Sequence, residues 1–345
     1  MKTDSAALAV IERNQQQLRQ PLCLVGAPGS LPRHESCDVS IVTLDQGDWQ
    51  HHGGRECGWF LGYDDADIPE SFNSIVIFMP KAKAELAMRC SWAAARLAEG
   101  GDLWLVGERR AGIAGGARWF RDFFPGAYKV DSARHCQLWK AGWNANQGNK
   151  GFRTRDWFSR RHVTIAGQPL MLADLPGVFS EGRTDPGTQM LLSTINERPR
   201  EPVLDFGCGN GVIGAWLMQR WPELALTLSD VQWQALNCAR ETLGDRGNVR
   251  IVASDGLGAL TPGYGTILSN PPFHQGVETD ATVAQTLIHK AAEFLLPGGE
   301  LRLVANAFLP YPRDLRESFQ EPAILADDGR YRVYRVQKLN HSRAK

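Results

Sequence analysis

The densest chemistry in the sequence lies in Leu268-Ser269-Asn270-Pro271-Pro272-Phe273-His274. The apolar run from Tyr264 to Leu268 reads as a buried strand, and it stops in a polar residue, two prolines and an aromatic. A proline has no N–H to give to a sheet and holds φ at about −65°, and the residue before it is kept out of the helical region. The sequence therefore predicts a stiff turn at a strand's carboxyl end. That turn holds the Asn270 amide, the Pro271 backbone carbonyl and the Phe273 ring in a fixed relation. Two acceptors and a stacking plate suit a planar group that carries an exocyclic NH2. Taken alone, the four residues are also compatible with a proline turn and a packed phenylalanine.

Upstream, residues 202–214 read as strand, glycine loop and helix around Asp205-Phe206-Gly207-Cys208-Gly209-Asn210-Gly211. Gly209, Gly211 and Gly214 satisfy the G-x-G-x-x-G spacing of a dinucleotide site. Asp205 argues against a pyrophosphate there, because a carboxylate beside the loop repels phosphate and attracts amine donors. It favours a zwitterion with an ammonium group, such as the methionine part of S-adenosylmethionine. Asp230 ends the next strand, 25 residues after Asp205, roughly where a carboxylate meets ribose hydroxyls in such folds. Asp255 follows a third strand and can accept from an adenine amine. With Asn270, four successive strands end in polar residues along the carboxyl edge, where open α/β sheets bind ligands. Asp185 reads as the cap of an apolar helix that has Thr188 in its first turn; contact with a ligand is an equal reading for either.

These residues need a parallel sheet to hold them, and the first half of the chain repeats its plan. Leu22 to Val25 enters a turn at Gly26-Ala27-Pro28-Gly29, and Ile75 to Phe78 forms a second strand. A helix is expected over 82–99, ended by Gly100-Gly101, with a strand over Leu103 to Gly107. Strands alternating with helices imply a parallel sheet. Pro80 matches Pro272, Phe78 falls where Asn270 sits, and Gly26 to Gly29 stands at the glycine loop without its acid. The two halves read as a duplicated domain. Residues 1–143 are expected to be a degenerate copy with no cofactor, serving RNA or substrate binding. Residues 144–155 are expected to be a linker and 156–345 the catalytic domain.

The length of 345 residues fits two domains, and 43% hydrophobic residues is ordinary for a globular chain. Seven cysteines at 23, 37, 57, 90, 136, 208 and 238, with no C-x-x-C pair, point to reduced thiols and no metal. No run reaches the length of a membrane helix, and residues 1–17 do not resemble a secretory leader, so a cytoplasmic location is expected. The net charge is zero, which excludes binding of nucleic acid by bulk charge. Local clusters remain. Arg153, Arg155, Arg160 and Arg161 lie among Phe152, Trp157 and Phe158, and residues 107–140, which include Arg109, Arg110 and Arg134, carry an excess of four positive charges. Basic side chains among aromatics suit phosphates and stacked bases; a solvated face is the plain alternative.

Asp205 to Gly211, Asp230, Asp255 and Asn270-Pro271-Pro272-Phe273 together resemble the class I S-adenosylmethionine-dependent methyltransferases that modify planar NH2 groups. Pro176-Gly177-Val178-Phe179-Ser180, the run from Asn270 to Gly276 and residues 299–312 narrow the resemblance to the bacterial 16S rRNA (guanine-N2)-methyltransferases that act on guanine 1207. Residues 106–112 and 129–134 carry it into the first half, and it is weakest over 1–70. It implies two tandem Rossmann-like domains, each a seven-stranded mostly parallel sheet with helices on both faces. It also implies S-adenosylmethionine as cofactor and the 30S subunit as substrate; a monomer is expected. Asn270, Pro271, Pro272 and Phe273 are the expected catalytic set. Asp205, Gly207, Cys208, Gly209, Asp230, Asp255, Gly256 and Thr188, with Asn270, are the expected cofactor contacts, and the seven arginines named above are the expected RNA contacts. Rival readings are a 23S guanine, an adenine N6 or a protein glutamine as the amine, and a non-catalytic ribosome-assembly factor. A nicotinamide dehydrogenase is the weakest, since no proton relay accompanies the loop.

Overall fold

Runs rich in Ile, Val, Leu and Phe become strands buried on both faces, as parallel sheets require. Every residue of Val203–Phe206 and of Tyr264–Ser269 is buried. The computed structural model describes residues 5–31, 39–143, 151–178, 185–271 and 278–339. The chain divides into two compact units, Met1–Phe158 and Ser159–Lys345. Of the expected linker, 144–150 lie outside the described residues. Residues 151–158 belong to the first unit, where the Thr154 hydroxyl donates to Asp64 Oδ1 at 2.8 Å and Phe152 meets Tyr63 edge-on.

The first unit runs α1 (Ala6–Arg13), β1 (Leu22–Val25), β2 (Val39–Thr43), α2 (Gln46–His51), β3 (Trp59–Leu61), β4 (Phe72–Phe78), α3 (Lys83–Arg96), β5 (Leu97–Glu108), α4 (Ile113–Phe123), β6 (Tyr128–Ala133) and β7 (Cys136–Gly142). The second opens with a hairpin, β8 (Ser159–Ile165) and β9 (Gln168–Asp174). It continues α5 (Pro186–Ser193), β10 (Val203–Phe206), α6 (Val212–Arg220), β11 (Leu226–Asp230), α7 (Trp233–Leu243), β12 (Val249–Ala253), β13 (Tyr264–Ser269), α8 (Glu278–Phe294), β14 (Leu295–Asn306), α9 (Tyr311–Ser318), β15 (Ala323–Asp327) and β16 (Tyr331–Gln337).

Among the described residues each unit holds one seven-stranded sheet, ordered β3-β2-β1-β4-β5-β7-β6 and β12-β11-β10-β13-β14-β16-β15. The two orders are the same. Five strands of each sheet run parallel, and the last pair adds an antiparallel hairpin. The register agrees as well: Val25 pairs with Ile77 as Phe206 pairs with Ser269. Gly26 therefore corresponds to Gly207, and Phe78 to Asn270. In the second unit, Leu191, Leu192, Ile213, Trp216 and Leu217 belong to one apolar cluster, and Ala284, Leu287, Ile288 and Ala291 to another. Helix cover of this kind removes both sheet faces from water, worth about 1.5–3 kcal/mol for each fully buried leucine or isoleucine.

One expected element differs. The helix over 82–99 ends at Arg96, and Gly100-Gly101 lies inside β5 instead of terminating the helix. Pairing starts before the glycines, with Phe72 against Leu97, and β14 does the same with Tyr264 against Leu295. The register then shifts, and Gly100 and Gly298 take the bend at φ of +71° and +72°. A side chain at Gly299 would stand 2.9 Å from the Leu296 carbonyl oxygen, so the glycine pair marks a kink within a strand.

Candidate active site

The chain leaves β10 towards β11 on one side and returns at β13 on the other, which makes the β10/β13 boundary the switch point of the second sheet. Asp205 sits on β10 with none of its surface exposed. Its Oδ2 accepts from the Gly214 amide at 3.3 Å, while Oδ1 is buried without a hydrogen-bond partner. Burial pushes its carboxyl up to about 7; the Gly214 amide opposes the shift and the nearby Asp230 adds to it. Asp230, at the end of β11, accepts from the Gly209 amide at 2.9 Å and, with its other oxygen, from the Gln232 amide at 2.9 Å. The Ser229 carbonyl accepts from the amides of Gly207 and Cys208, each at 2.9 Å. The loop is thus tied to the neighbouring strand.

Gly207 and Gly209 have φ of +69° and +54°, and a Cβ on either would meet nothing within 4 Å. Their free side is open to a ligand. The Cys208 side chain instead belongs to the core, where burial raises its thiol well above the ordinary value, and its Sγ lies 3.7 Å from the Gly209 carbonyl oxygen. Asp255 is exposed just past β12. The turn behind it is ordered by Ser254, whose hydroxyl donates to the Gly256 carbonyl at 2.8 Å and accepts from the Ala259 amide at 3.1 Å.

Asn270 follows β13 directly. Its Nδ2 donates to Asp185 Oδ2 at 2.6 Å and to Thr188 Oγ1 at 2.7 Å. Asp185 caps α5, its Oδ2 accepting from the Thr188 amide at 2.7 Å. Thr188 is 4% exposed, and the contact made by its hydroxyl is with Asn270. Ser269, one residue earlier, donates to the Phe206 carbonyl at 2.9 Å and binds the two strand ends together. Pro271 is buried; Pro272, Phe273, Phe179 and Ser180 lie outside the described residues.

The hairpin adds residues that no local motif marks. Asp174 accepts from Asn210 Nδ2 in the glycine loop at 2.7 Å and, on its other oxygen, from Arg161 Nε at 2.5 Å. The Leu175 amide donates to Cys238 Sγ at 3.0 Å, and Gln234 Nε2 to the Pro176 carbonyl at 2.7 Å. The segment after β9 is therefore pinned to α7. Among the expected RNA contacts, Arg161 enters this internal chain of polar contacts, Arg160 pairs with Glu241, and Arg153 pairs with Asp156 at 2.8 Å. Arg155 is exposed. In the first unit Arg109, Arg110 and Arg134 are exposed at one edge, where the Arg109 amide donates to the His135 carbonyl at 2.9 Å and Arg110 pairs with Glu108 at 2.7 Å. Phe308, beyond β14, is 65% exposed, and the Ala307 amide beside it donates to the Arg330 carbonyl at 2.8 Å.

The equivalent place in the first unit is filled with protein. Leu24 stands at the position of Asp205. A Cβ on Gly26 would lie 1.8 Å from Arg89 Nη1. That guanidinium is buried, donates to the Phe78 carbonyl at 2.8 Å and pairs with Glu85 at 2.6 Å.

A sheet of this order, with a glycine loop after its first strand and acids at the ends of the next two, defines a class I S-adenosylmethionine-dependent methyltransferase; the first unit repeats the strand order without those acids. Residues 169–335 match the family described as methyltransferase small domain, and residues 9–161 match its N-terminal domain. The chain is 38% identical over 334 residues to ribosomal RNA small subunit methyltransferase C of Hahella chejuensis, covering 94% of this chain and 95% of that protein. It is 36% identical over 341 residues to the protein of that name from Pseudomonas entomophila, covering 95% and 98%. The chain belongs to the ribosomal RNA small subunit methyltransferase C family. The structure described as T. thermophilus 16S rRNA N2 G1207 methyltransferase (RsmC) in complex with AdoMet and guanosine superposes with a TM-score of 0.79 at 23% identity, covering 98% of this chain and 94% of that one. Among the described residues no helix is long and apolar enough to cross a membrane.

Proposed function

We propose that the second unit transfers a methyl group from S-adenosylmethionine to the exocyclic N2 of guanine 1207 of 16S rRNA within the 30S subunit, acting as a cytoplasmic monomer. The observation that carries this reading is the Asn270 amide at the switch point. Both of its N–H bonds are spent on Asp185 and Thr188, so its carbonyl oxygen is left to accept from an incoming amine.

The residues present fit the cofactor. The partnerless Oδ1 of Asp205 beside an open glycine loop suits an ammonium, Asp230 suits ribose hydroxyls, and Asp255 with the Gly256 turn suits an adenine edge. The cofactor supplies an electrophilic methyl on a sulfonium. Asn270 Oδ1 and the Pro271 carbonyl accept the two hydrogens of the guanine amine, which localises on nitrogen a lone pair otherwise delocalised into the ring. They also aim that nitrogen along the line of transfer, and this positioning is the larger effect. The nitrogen forms the new C–N bond as the S–CH3 bond breaks and leaves a neutral thioether. The methylated nitrogen is acidic and releases its proton without a strong general base. Phe273, as read from the sequence, stacks on the base, which has been turned out of the RNA at a cost of a few kcal/mol.

The first unit is assigned to RNA, with Arg109, Arg110 and Arg134 meeting phosphates together with Arg155. It takes no cofactor, because Arg89 fills the position and Leu24 replaces the acid. Tritiated methyl transfer onto 30S particles, 50S particles and naked rRNA tests the proposal. Label in N2-methylguanosine from 30S particles is the expected result, and label confined to 50S particles would overturn it.

A further inference from the structure

We infer that Asp185, supported by Thr188, is the positioning residue that fixes which way the Asn270 amide faces, so that the site takes a hydrogen-bond donor from the substrate and turns away an acceptor. An amide can be rotated by half a turn with little change of shape, and its two ends differ only in hydrogen bonding. Asp185 Oδ2 acts as an acceptor, towards the Thr188 amide as well as towards Asn270. With Oδ2 at 2.6 Å from the amide, the near atom has to be nitrogen, because an oxygen there would set two acceptors against each other. Thr188 does not decide the matter alone, since a hydroxyl both gives and takes. Asp185 Oδ2 is itself held, accepting from the Thr188 amide at 2.7 Å as the cap of α5, with Pro186 in the first turn. The lock thus has the stiffness of a helix terminus.

The consequence falls on Oδ1. It lies 3.5 Å from where a Cβ on Gly187 would stand, and no donor among the described residues reaches it. It is the acceptor offered to the ligand. If the amide turned over, NH2 would confront the guanine NH2, donor against donor. Orientation here separates an amine from a ring carbonyl, which size alone does not.

The inference rests on the reading of Asn270 as the amine's acceptor. Two variants isolate it from folding, because Ser and Asn both cap helices well. Asp185→Ser keeps the cap but is too short to reach Asn270. In Asp185→Asn, the Thr188 amide demands oxygen at the Oδ2 position, so the acceptor for Asn270 is preserved. Turnover on 30S particles, KM for 30S, calorimetric affinity for S-adenosylmethionine and melting temperature are measured for both variants, for wild type and for Asn270→Ala. Asp185→Ser is expected to lose about tenfold to a hundredfold in kcat, with KM, cofactor affinity and melting temperature unchanged, and Asp185→Asn to recover most of that loss. Wild-type kcat in Asp185→Ser overturns the inference. So does an equal loss in both variants, or a loss that follows cofactor affinity. A wild-type protein that does not methylate 30S, or an active Asn270→Ala, would instead overturn the reading on which it rests.

Discussion

Leu24 and Asp205 occupy the same register position in two sheets of the same strand order, paired with Val76 and Leu268 respectively. One is an ordinary core residue. The other is a fully buried carboxylate with an oxygen that lacks a partner. The two units thus differ in chemistry at a shared position beside the first turn of the sheet, and the difference has measurable consequences.

The first concerns pH. Burial raises the Asp205 carboxyl from 3.8 to about 7 in the folded protein. The folded state therefore holds a proton that the unfolded chain has lost between those values, and stability falls as pH rises through that window. The full cost, present above pH 7, is on the order of 4 kcal/mol at about 1.36 kcal/mol per unit. Asp205→Asn is expected to raise the melting temperature of the cofactor-free protein at about pH 8, above that window, and to weaken cofactor binding. An ammonium held against Asp205 favours the ionised form, so wild-type affinity for S-adenosylmethionine rises with pH through about 7 and binding releases a proton. Calorimetry in two buffers of different ionisation enthalpy reads the proton; identical heats in both would remove the contact.

The second concerns stoichiometry. With Arg89 over Gly26, S-adenosylmethionine titrates to one site per chain, and Asp230→Ala abolishes that site. A second equivalent would show that the first unit binds it too. Arg89→Met leaves Glu85 as a buried, uncompensated charge and is expected to destabilise the first unit by about 3–5 kcal/mol, with cofactor affinity unchanged.

The third separates two kinds of arginine. Charge reversal at Arg109, Arg110 or Arg134 should raise KM for 30S and flatten its dependence on salt, by about one unit of log–log slope for each phosphate no longer neutralised. Arg161→Ala should act differently, because its partner Asp174 holds Asn210. It is expected to lower the melting temperature and cofactor affinity and to leave the salt dependence alone. The reverse pattern would place Arg161 on the RNA.

The residues of the second sheet's carboxyl edge are legible in the sequence because parallel strands buried on both faces read as apolar runs, and a polar residue that ends such a run stands out. Asp205, Asp230 and Asn270 are recognisable in that way. The hairpin β8–β9 is not, because Ser159-Arg160-Arg161-His162-Val163 is half solvated and its arginines read as a basic patch. Asp174 and Asn210 meet across 36 residues, and Thr188 meets Asn270 across 82. No local pattern encodes such pairs. Arg89 lies on a helix rich in alanine and arginine, where one buried guanidinium looks like its solvated neighbours. The glycine pairs at 100–101 and 298–299 carry the signature of a helix end, but strand pairing has already begun when the chain reaches them.

If the amide of Asn270 receives the amine to be methylated, removing it stops transfer and spares the cofactor site. The direct measurement is single-turnover methyl transfer to 30S particles by wild type and Asn270→Ala, with the modified base located by primer extension and cofactor affinity measured alongside. Wild type is expected to yield N2-methylguanosine at position 1207, and the variant no transfer at undiminished cofactor affinity. Transfer at the wild-type rate by Asn270→Ala would show that the amide does not receive the amine.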